Sequence, residues 1–262
     1  MSLSASLIPE LAQTLLQAER TRRPVPTLSS RYPELDEEDA YRIAAAKFQA
    51  RNSPRSGYKL GYTSAAMRQQ MNIDAPNYGI LSQDLFVGGT ELAHDTLIHP
   101  LVEPEIAIRL GQDLPLSAQH DLHSVLAAGP EFMLAIEVCD SRYPNYQFKA
   151  VDNIADNSSA ARYVLGPATL LGPDTRLETL EVELWIDDSR VDQGIGANAL
   201  GNPLLAVAWL AKLLAQSGQT LHAGEVVLTG GLTKGYLVQA GQQVRVTSSN
   251  AAVAPVSLHF VP

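Results

Sequence analysis

The segment "LVEPEIAIRL", residues 101–110, places two glutamates one residue apart inside an otherwise apolar run. A β-strand points alternate side chains to opposite sides, so Glu103 and Glu105 share one face. The other face is apolar and consists of Val102, Pro104, Ile106 and Ile108. The segment therefore predicts a buried strand with two carboxylates on one side. Such neighbours repel and raise each other's pKa unless a cation lies between them.

A second apolar segment, "FMLAIEVCDSR" at 132–142, carries a third glutamate in the same way. Alternation places Glu137 on one face with Ala135 and Cys139, opposite an apolar face. Three glutamates would form an all-oxygen site, which hard cations such as Mg²⁺ prefer. The alternative is that each glutamate faces solvent on an amphipathic strand, as is common in sheets with one wet face.

Three further polar features interrupt apolar surroundings. Lys59 lies in "GYKLGY" (57–62), which reads as a short strand between glycines. The segment "ADNSS" (155–159) is either part of a site or a turn closed by side-chain hydrogen bonds. The segment "LTGGLT" (228–233) either lets backbone approach a ligand or forms a hairpin turn. Together these features favour a functional site over isolated turns.

The composition indicates a globular protein and argues against several functions. The chain has 262 residues, of which 45% are hydrophobic and 18% charged, and its formal net charge is −9. That charge argues against nucleic-acid binding, which needs a basic surface. We see no apolar run of the roughly 20 residues that a membrane span needs. The first residues lack the basic start of a signal peptide, and Cys139 is the single cysteine, so we expect a cytoplasmic protein without a disulfide.

The periodicity predicts an α+β fold, mostly β, with a small helical N-terminal part over 1–56 and a β body, a barrel or roll, over 57–262. Apolar residues at helical spacing predict a helix over the first 20 or so residues, and a second begins near Asp36. A further helix follows Asn202, its predicted N-cap. Segment 64–71 also reads as helical. The predicted strands are 79–86, 101–109, 132–140, 161–165, 180–187, 226–230, 242–247 and 254–260.

These motifs, in this order, resemble one known family. The sequence is similar to the 2-oxopent-4-enoate hydratase / 4-oxalocrotonate decarboxylase family of the fumarylacetoacetate hydrolase superfamily, and the resemblance covers nearly the whole chain. The segments that carry it are "KLGYTS" (59–64), "NIDAPNYGIL" (72–81), "VEPEIAI" (102–108), "AIEVCDSRY" (135–143), "ADNSS" (155–159), "ALGNPLLAVAWLAKLLAQSG" (199–218) and "LHAGEVVLTGGLT" (221–233).

The resemblance implies a fumarylacetoacetase C-terminal-like β fold with a bound Mg²⁺ or Mn²⁺. It implies that Glu103, Glu105 and Glu137 are the metal ligands. It implies that Lys59 and Asp74 are catalytic. The residues that it implies for substrate binding are Ser159, Leu60 and Arg162. We also expect a homo-oligomer that acts on a small 2-oxo acid. Tyr62 stands where the family usually has leucine, which leaves the metal site intact but affects the expected substrate.

The motifs favour decarboxylation of 2-oxo-3-hexenedioate (4-oxalocrotonate) in the meta-cleavage catabolism of aromatic compounds. "SRYPNYQF" (141–148), Arg162 and "TGGLT" (229–233) resemble the decarboxylase branch. A diacid also needs a cation at its far end, and Arg142 and Arg162 are the candidates. The alternatives are hydration of 2-oxopent-4-enoate, C–C bond hydrolysis of the fumarylacetoacetase type, which needs a positioned histidine, and a non-catalytic binding protein.

Overall fold

The computed structural model describes residues 3–65, 68–69, 73–117, 119–172 and 174–262. The chain begins with helices, namely α1 (Leu7–Thr21), α2 (Leu28–Arg31) and α3 (Glu37–Arg51). The side chain of Asp36 caps α3 by accepting a hydrogen bond from the backbone N–H of Asp39 at 2.9 Å. This confirms the helix predicted near Asp36. The helical prediction for 64–71 falls partly outside the described residues.

The larger of two sheets has the strand order β2-β1-β10-β4-β5-β6. Two short strands, β7 and β11, pair with β5 and β4 respectively. The strands of this sheet are β1 (Arg55–Gly61), β2 (Asn77–Ser82), β4 (Leu101–Arg109), β5 (Glu131–Cys139), β6 (Ala160–Leu165), β7 (Thr169–Leu170), β10 (Val226–Leu228) and β11 (Tyr236–Leu237).

The second sheet has the order β3-β13-β12-β8-β9 and shares the main hydrophobic core with the first. Its strands are β3 (Glu91–Ala93), β8 (Glu181–Ile186), β9 (Ser189–Ile195), β12 (Gln243–Ser248) and β13 (Val256–Val261). Strand β9 was not predicted, because its alternating polar residues and glycine carry little apolar signal. The predicted α+β class with a β body is confirmed.

Three helices lie within the β body, α4 (Leu122–Ala127), α5 (Ala150–Ala155) and α6 (Pro203–Gln216). Asn202 caps α6 as predicted, since its side chain accepts a hydrogen bond from the N–H of Leu204 at 2.9 Å. By length and composition alone, the segment Gly196–Gln216 could cross a membrane, but half of its most apolar stretch is buried inside the fold. The buried face of α6 belongs to the main core, so its apolar character is explained by packing.

The register between β4 and β5 fixes the position of the acidic residues. Glu103 lies directly opposite Glu137, and Glu105 lies opposite Ala135. The alternate residues, such as Val102 and Val138, are fully buried in the main core. The predicted alternation is therefore confirmed, with an apolar face on the core and the glutamates on the other side.

The N-terminal helices pack on the segment that leads into the site. Residues of α1 and α3 form a second hydrophobic cluster with Tyr143, Ile154 and Ala155. The contact also contains a buried ion pair, in which Lys47 Nζ of α3 lies 3.1 Å from Asp156 Oδ1. The division of the chain at 56/57 remains a prediction, and these contacts show that the helical part packs closely on the body.

Candidate metal centre and active site

A cavity of about 260 Å³ opens beside the glutamates at the ends of β1, β4 and β5. Its wall combines ionisable, hydroxyl and aromatic side chains, and glycines form part of its rim. The described residues that line it include Lys59, Tyr62, Thr63, Glu103, Cys139, Tyr146, Phe148, Asn153, Ser158, Ser159, Gly231, Thr233 and Lys234. The structure therefore brings the separate polar segments of the sequence to one place.

The carboxylates form a compact cluster behind and within this wall. Glu103, Glu137 and Cys139 each offer a ligand atom, and these atoms lie within 4.8 Å of one another. Glu105 and Glu137 are buried, with 0% and 1% of their surface exposed. Glu105 Oε2 accepts a hydrogen bond from the backbone N–H of Gly230 at 2.8 Å. Strand alternation thus gathers the three glutamates on one face, as the sequence predicts.

Burial and mutual repulsion hold protons on this cluster. Burial, followed by the charge of Glu137, raises the pKa of Glu103 to about 7, although Lys59 opposes the shift. The same two causes raise the pKa of Glu105 well above its usual range. Carboxyl groups that are this costly to ionise together need a positive partner to do so.

The pattern of unused oxygens fits a divalent cation. Glu105 Oε1 and Glu137 Oε2 are buried and accept no hydrogen bond within the described residues, and Glu137 Oε1 likewise accepts none there but forms an ion pair with Lys59. Buried carboxylate oxygens without partners are costly unless a ligand satisfies them. Hard divalent ions bind such oxygens, and Mg²⁺ commonly uses few protein ligands so that substrate and water complete its shell. The residues present therefore fit Mg²⁺ or Mn²⁺, and Glu103, Glu105 and Glu137 would hold it.

Lys59 supplies the positive charge that the site contains by itself. Its ammonium lies 3.1 Å from Glu137 Oε1 and donates a hydrogen bond to the backbone oxygen of Ser158 at 3.0 Å. Burial alone would lower the pKa of Lys59, but the acidic groups around it, Cys139, Glu137 and Glu103, raise that pKa overall. Lys59 is therefore a fixed cation in the cavity, as the sequence predicts.

A left-handed turn presents the "ADNSS" segment to the cavity. Asn157, Ser158 and Ser159 have φ values of 59°, 53° and 57°. Successive non-glycine residues in this region are strained, and such strain is typical of functional sites. The turn places Ser159 in the cavity wall, where its Oγ accepts a hydrogen bond from Asn153 Nδ2 at 3.1 Å. Ser159 is therefore positioned to contact a bound ligand.

Glycines allow the backbone to close around these side chains. A Cβ on Gly61 would lie 2.4 Å from Asn77 Oδ1 and 2.7 Å from Ser158 Oγ. A Cβ on Gly231 would lie 2.4 Å from Glu103 Oε2. The "LTGGLT" segment is thus a turn whose backbone touches the acidic cluster, which combines the two interpretations left open by the sequence.

The structure does not bring three predicted residues to the cavity wall. Asp74 is exposed in the loop before β2. The side chain of Leu60 is buried in the main hydrophobic core, 1% exposed, on the side of β1 opposite Lys59. The guanidinium of Arg162 donates a hydrogen bond to the backbone oxygen of Ala161. Burial lowers the pKa of Arg162, and the nearby charge of Glu19 opposes this shift. Roles for these three as catalytic or substrate-binding residues remain predictions without support from the cavity.

Arg142, the other candidate for binding a distal carboxylate, has a structural role. It is fully buried and forms an ion pair with Asp156, and its guanidinium also donates to the backbone oxygens of Asp140, Asp156 and Ala160. The expectation that it meets the substrate is therefore wrong, because its donors are already used inside the protein.

Several cavity residues were not predicted from the sequence. Alternation places Cys139 on the face of Glu137, but no role in the site was predicted for it from the sequence; its thiol lies 4.0 Å from Lys59 Nζ. Tyr62 adopts a left-handed conformation with φ of 57° at the end of β1. Tyr146, Phe148 and Lys234 reach the cavity through turns, which carry no periodicity. Burial raises the pKa of Tyr62, so its hydroxyl keeps its proton.

Comparison with known proteins identifies the class that this fold and site define. A family model for the C-terminal region of fumarylacetoacetate (FAA) hydrolase matches residues 49–254. The match covers the whole of the larger sheet, the second sheet except β13, and the residues of the acidic cluster. The chain belongs to the fumarylacetoacetate hydrolase family, and within it to the group of 2-keto-4-pentenoate hydratases and 4-oxalocrotonate decarboxylases.

Relatives from both branches of this group match over most of their length. A 2-keto-4-pentenoate hydratase from Dechloromonas aromatica is 35% identical over 246 residues, 92% of this chain and 94% of the relative. A 4-oxalocrotonate decarboxylase from Pseudomonas putida is 34% identical over 255 residues, 96% of each chain. The family expected from the sequence is confirmed.

Solved structures agree with this assignment. The 4-oxalocrotonate decarboxylase from Pseudomonas putida G7, complexed with magnesium and adipate, superposes with a TM-score of 0.92 and 32% identity over 99% of each chain. The same enzyme has also been solved with calcium and acetate. The fumarylpyruvate hydrolase of Pseudomonas aeruginosa, with a TM-score of 0.61 and 15% identity over 80% of this chain and 90% of that chain, shares the fold. The expected fumarylacetoacetase-like fold is confirmed, and divalent ions in these relatives agree with the expected cofactor.

Proposed function

We propose that the protein is a divalent-metal-dependent lyase that decarboxylates an unsaturated 2-oxo diacid, 2-oxo-3-hexenedioate, in the meta-cleavage catabolism of aromatic compounds. The observation that carries this proposal is the cluster of Glu103, Glu105 and Glu137 beside the cation of Lys59, in which the buried oxygens Glu105 Oε1 and Glu137 Oε2 accept no hydrogen bond within the described residues. The likeness to a decarboxylase complexed with magnesium and adipate, a six-carbon dicarboxylate, supports the choice of a diacid.

The residues of the site suit this reaction. Glu103, Glu105 and Glu137 would hold a divalent ion, which would supply a Lewis acid to a bound 2-oxo acid. Lys59 balances negative charge as the bond to CO₂ breaks and its electron pair passes through the conjugated system to the keto oxygen. Ser159 and the protonated hydroxyl of Tyr62 offer hydrogen-bond donors to substrate oxygens. Lys59 and Glu137 are buried, and charges interact more strongly in such surroundings than in bulk water.

Hydration of 2-keto-4-pentenoate is the second candidate. It is favoured by the hydratase relatives, such as those from Dechloromonas aromatica and from Paraburkholderia xenovorans, the latter 36% identical over 236 residues. Hydrolysis of a C–C bond is less well supported, because none of the six histidines lines the described cavity wall. A purely non-catalytic role does not account for an open cavity beside Glu105 Oε1 and Glu137 Oε2, which are buried and accept no hydrogen bond within the described residues.

The experiment offers both substrates to the purified protein with Mg²⁺ and identifies the products by NMR and CO₂ detection. We expect CO₂ from 2-oxo-3-hexenedioate, and none after EDTA treatment. Glu137→Gln should lower kcat/KM roughly 100-fold or more, because it removes a charged metal ligand. The matched control is Glu181→Gln, which changes an exposed glutamate on β8. Efficient hydration of 2-hydroxypenta-2,4-dienoate without CO₂ from the diacid would overturn the decarboxylase assignment in favour of the hydratase.

We also propose that the enzyme works in the cytoplasm and assembles as a homo-oligomer. Support for assembly comes from large apolar side chains that the single chain leaves in solvent, among them Leu170 and Leu237, which are 75% and 65% exposed. Light scattering of the purified protein tests the assembly, and a monomer at working concentration would contradict it. Cell fractionation tests the location.

A further inference from the structure

The cavity contains one firmly held cation, Lys59, and its charge is balanced by the glutamates around it. Lys59 lies 3.1 Å from Glu137, and a divalent ion together with Lys59 would only balance the three ionised glutamates. A mono-acid adds one negative charge to this site, whereas a diacid adds a second one at its far end. Binding of a diacid therefore favours an additional positive group near the mouth of the cavity.

Lys234 is the second basic side chain among the described residues that line the cavity. It is exposed, and its ammonium lies 4.9 Å from the centre of the Tyr236 ring. Within the described part of the chain it has no carboxylate within ion-pair distance. A cation–π contact at an exposed site is weak, so the ammonium can leave the ring at small cost.

The backbone that carries Lys234 is fixed against the acidic cluster. A Cβ on Gly235, the next residue, would lie 3.1 Å from Glu103 Oε1, and one on Gly231 would lie 2.4 Å from Glu103 Oε2. The turn 229–235 therefore holds the Cα of Lys234 close to the metal site. By standard bond lengths, a lysine stem and an extended six-carbon diacid each span about 6 Å. The two spans are equal, and Lys234 lines the same cavity as Glu103.

We propose that Lys234 binds the distal carboxylate of a dicarboxylic 2-oxo acid and so selects diacids over mono-acids. The inference rests on the proposed function for the placement of the 2-oxo acid end at the metal site. In this proposal Lys234 takes the role that the sequence suggested for Arg142 or Arg162. The hydrogen-bond donors of Arg142 are occupied inside the protein, and Arg162 does not line the cavity. Lys234 is a specificity-determining residue in this proposal. It binds the carboxylate that leaves as CO₂, so its ion pair is lost when that C–C bond breaks, and it transfers no proton or electron pair itself.

The test measures binding without turnover, by calorimetry of adipate and of hexanoate to the Mg²⁺-loaded protein. These two ligands have the same chain length and differ in the second carboxylate. We expect Lys234→Met to reduce the ratio of adipate to hexanoate affinity about fivefold, the range of a partly exposed ion pair. Lys234→Arg should keep the ratio near that of the wild type, and Lys234→Glu should lower it further than Lys234→Met. The matched control is Lys212→Met, which removes an exposed lysine from α6.

One outcome would overturn the proposal. It is a wild-type ratio of adipate to hexanoate affinity in Lys234→Met, whether both affinities are unchanged or both fall by the same factor. Salt gives an independent check, because raised ionic strength should weaken adipate binding more in the wild type than in Lys234→Met. Failure of the proposed function gives a different result. In that case the wild-type protein hydrates the mono-acid and releases no CO₂ from the diacid, and the effect of Lys234→Met on the adipate to hexanoate affinity ratio is measured independently of turnover. Conversely, CO₂ release with unchanged binding ratios in Lys234→Met refutes only the role of this lysine.

Discussion

Removal of the metal should make the stability of this protein fall as the pH rises. Glu103 has a pKa raised from 4.5 to about 7, first by burial and then by the charge of Glu137. Below 4.5 both the folded and the unfolded chain hold this proton. Between 4.5 and about 7 the unfolded chain loses the proton while the folded chain keeps it, so unfolding becomes easier. The loss is complete once the pH passes the folded pKa.

The size of the effect follows from the shift. A change in pKa from 4.5 to about 7 corresponds to at most about 3 kcal/mol of unfolding free energy. Bound Mg²⁺ takes the place of the proton, so its affinity should rise with pH and its binding should release protons. Mg²⁺ should therefore stabilise the protein more at about pH 8 than at about pH 5.

The assay is urea denaturation at about pH 5 and about pH 8, with EDTA or with Mg²⁺. More acidic conditions are avoided because Glu19, whose pKa is lowered to about 2, contributes stability that is lost as the pH falls below its ordinary value. Glu103→Gln should reduce the pH dependence of the metal-free protein without abolishing it, because burial also raises the pKa of Glu105. Glu181→Gln should retain the full dependence. The reasoning is refuted if metal-free wild type is as stable at the higher pH as at the lower one and Mg²⁺ binding releases no protons.

The remaining predictions concern catalysis and helix stability. Lys59→Met should lower kcat roughly 100-fold or more, because it removes the buried cation of the site. Asp74→Asn changes an exposed residue and should lower kcat far less. If steady-state kinetics give the reverse order, Asp74 is the more important group. Gly61→Ala should reduce activity, because its Cβ would displace Ser158 Oγ from a distance of 2.7 Å, and wild-type kcat would contradict the close approach. Asn202→Ala should cost about 1 kcal/mol in urea denaturation with kcat unchanged, since it removes the cap of α6, and unchanged stability would show that the cap contributes little.

The parts of the fold that periodicity controls could be predicted from the sequence. The alternation in 101–110 gave the buried strand β4, and the N-caps Asp36 and Asn202 gave the starts of two helices. Strand β9 was not predicted because it lies at a sheet edge, where polar residues are tolerated and the alternation of apolar and polar residues is weak. Local patterns thus identify elements that bury one face and miss those that do not.

The sequence predicted the charged site residues that lie on strands. Glu103 and Glu137 are direct cross-strand partners, and their common face follows from period-two alternation. Lys234 and Tyr146 reach the same cavity from turns between elements, and no local pattern predicts which turns meet in space. The assignment of a distal cation to Arg142 failed for a related reason. An arginine that follows a buried strand looks the same in sequence whether it meets a ligand or an internal carboxylate.

The "ADNSS" segment shows why one motif can serve two purposes. Asp156 Oδ1 meets Lys47 of α3 at 3.1 Å and also pairs with Arg142, so this end of the motif holds the helical part to the body. The left-handed turn that follows reverses the direction of the chain, and it presents Ser158 to Lys59 and Ser159 to the cavity. Because the two functions lie on opposite sides of one turn, loss of the Asp156 ion pairs should move the serines as well. The buried charges under the N-terminal helices therefore support the geometry of the active site, even though none of them touches it.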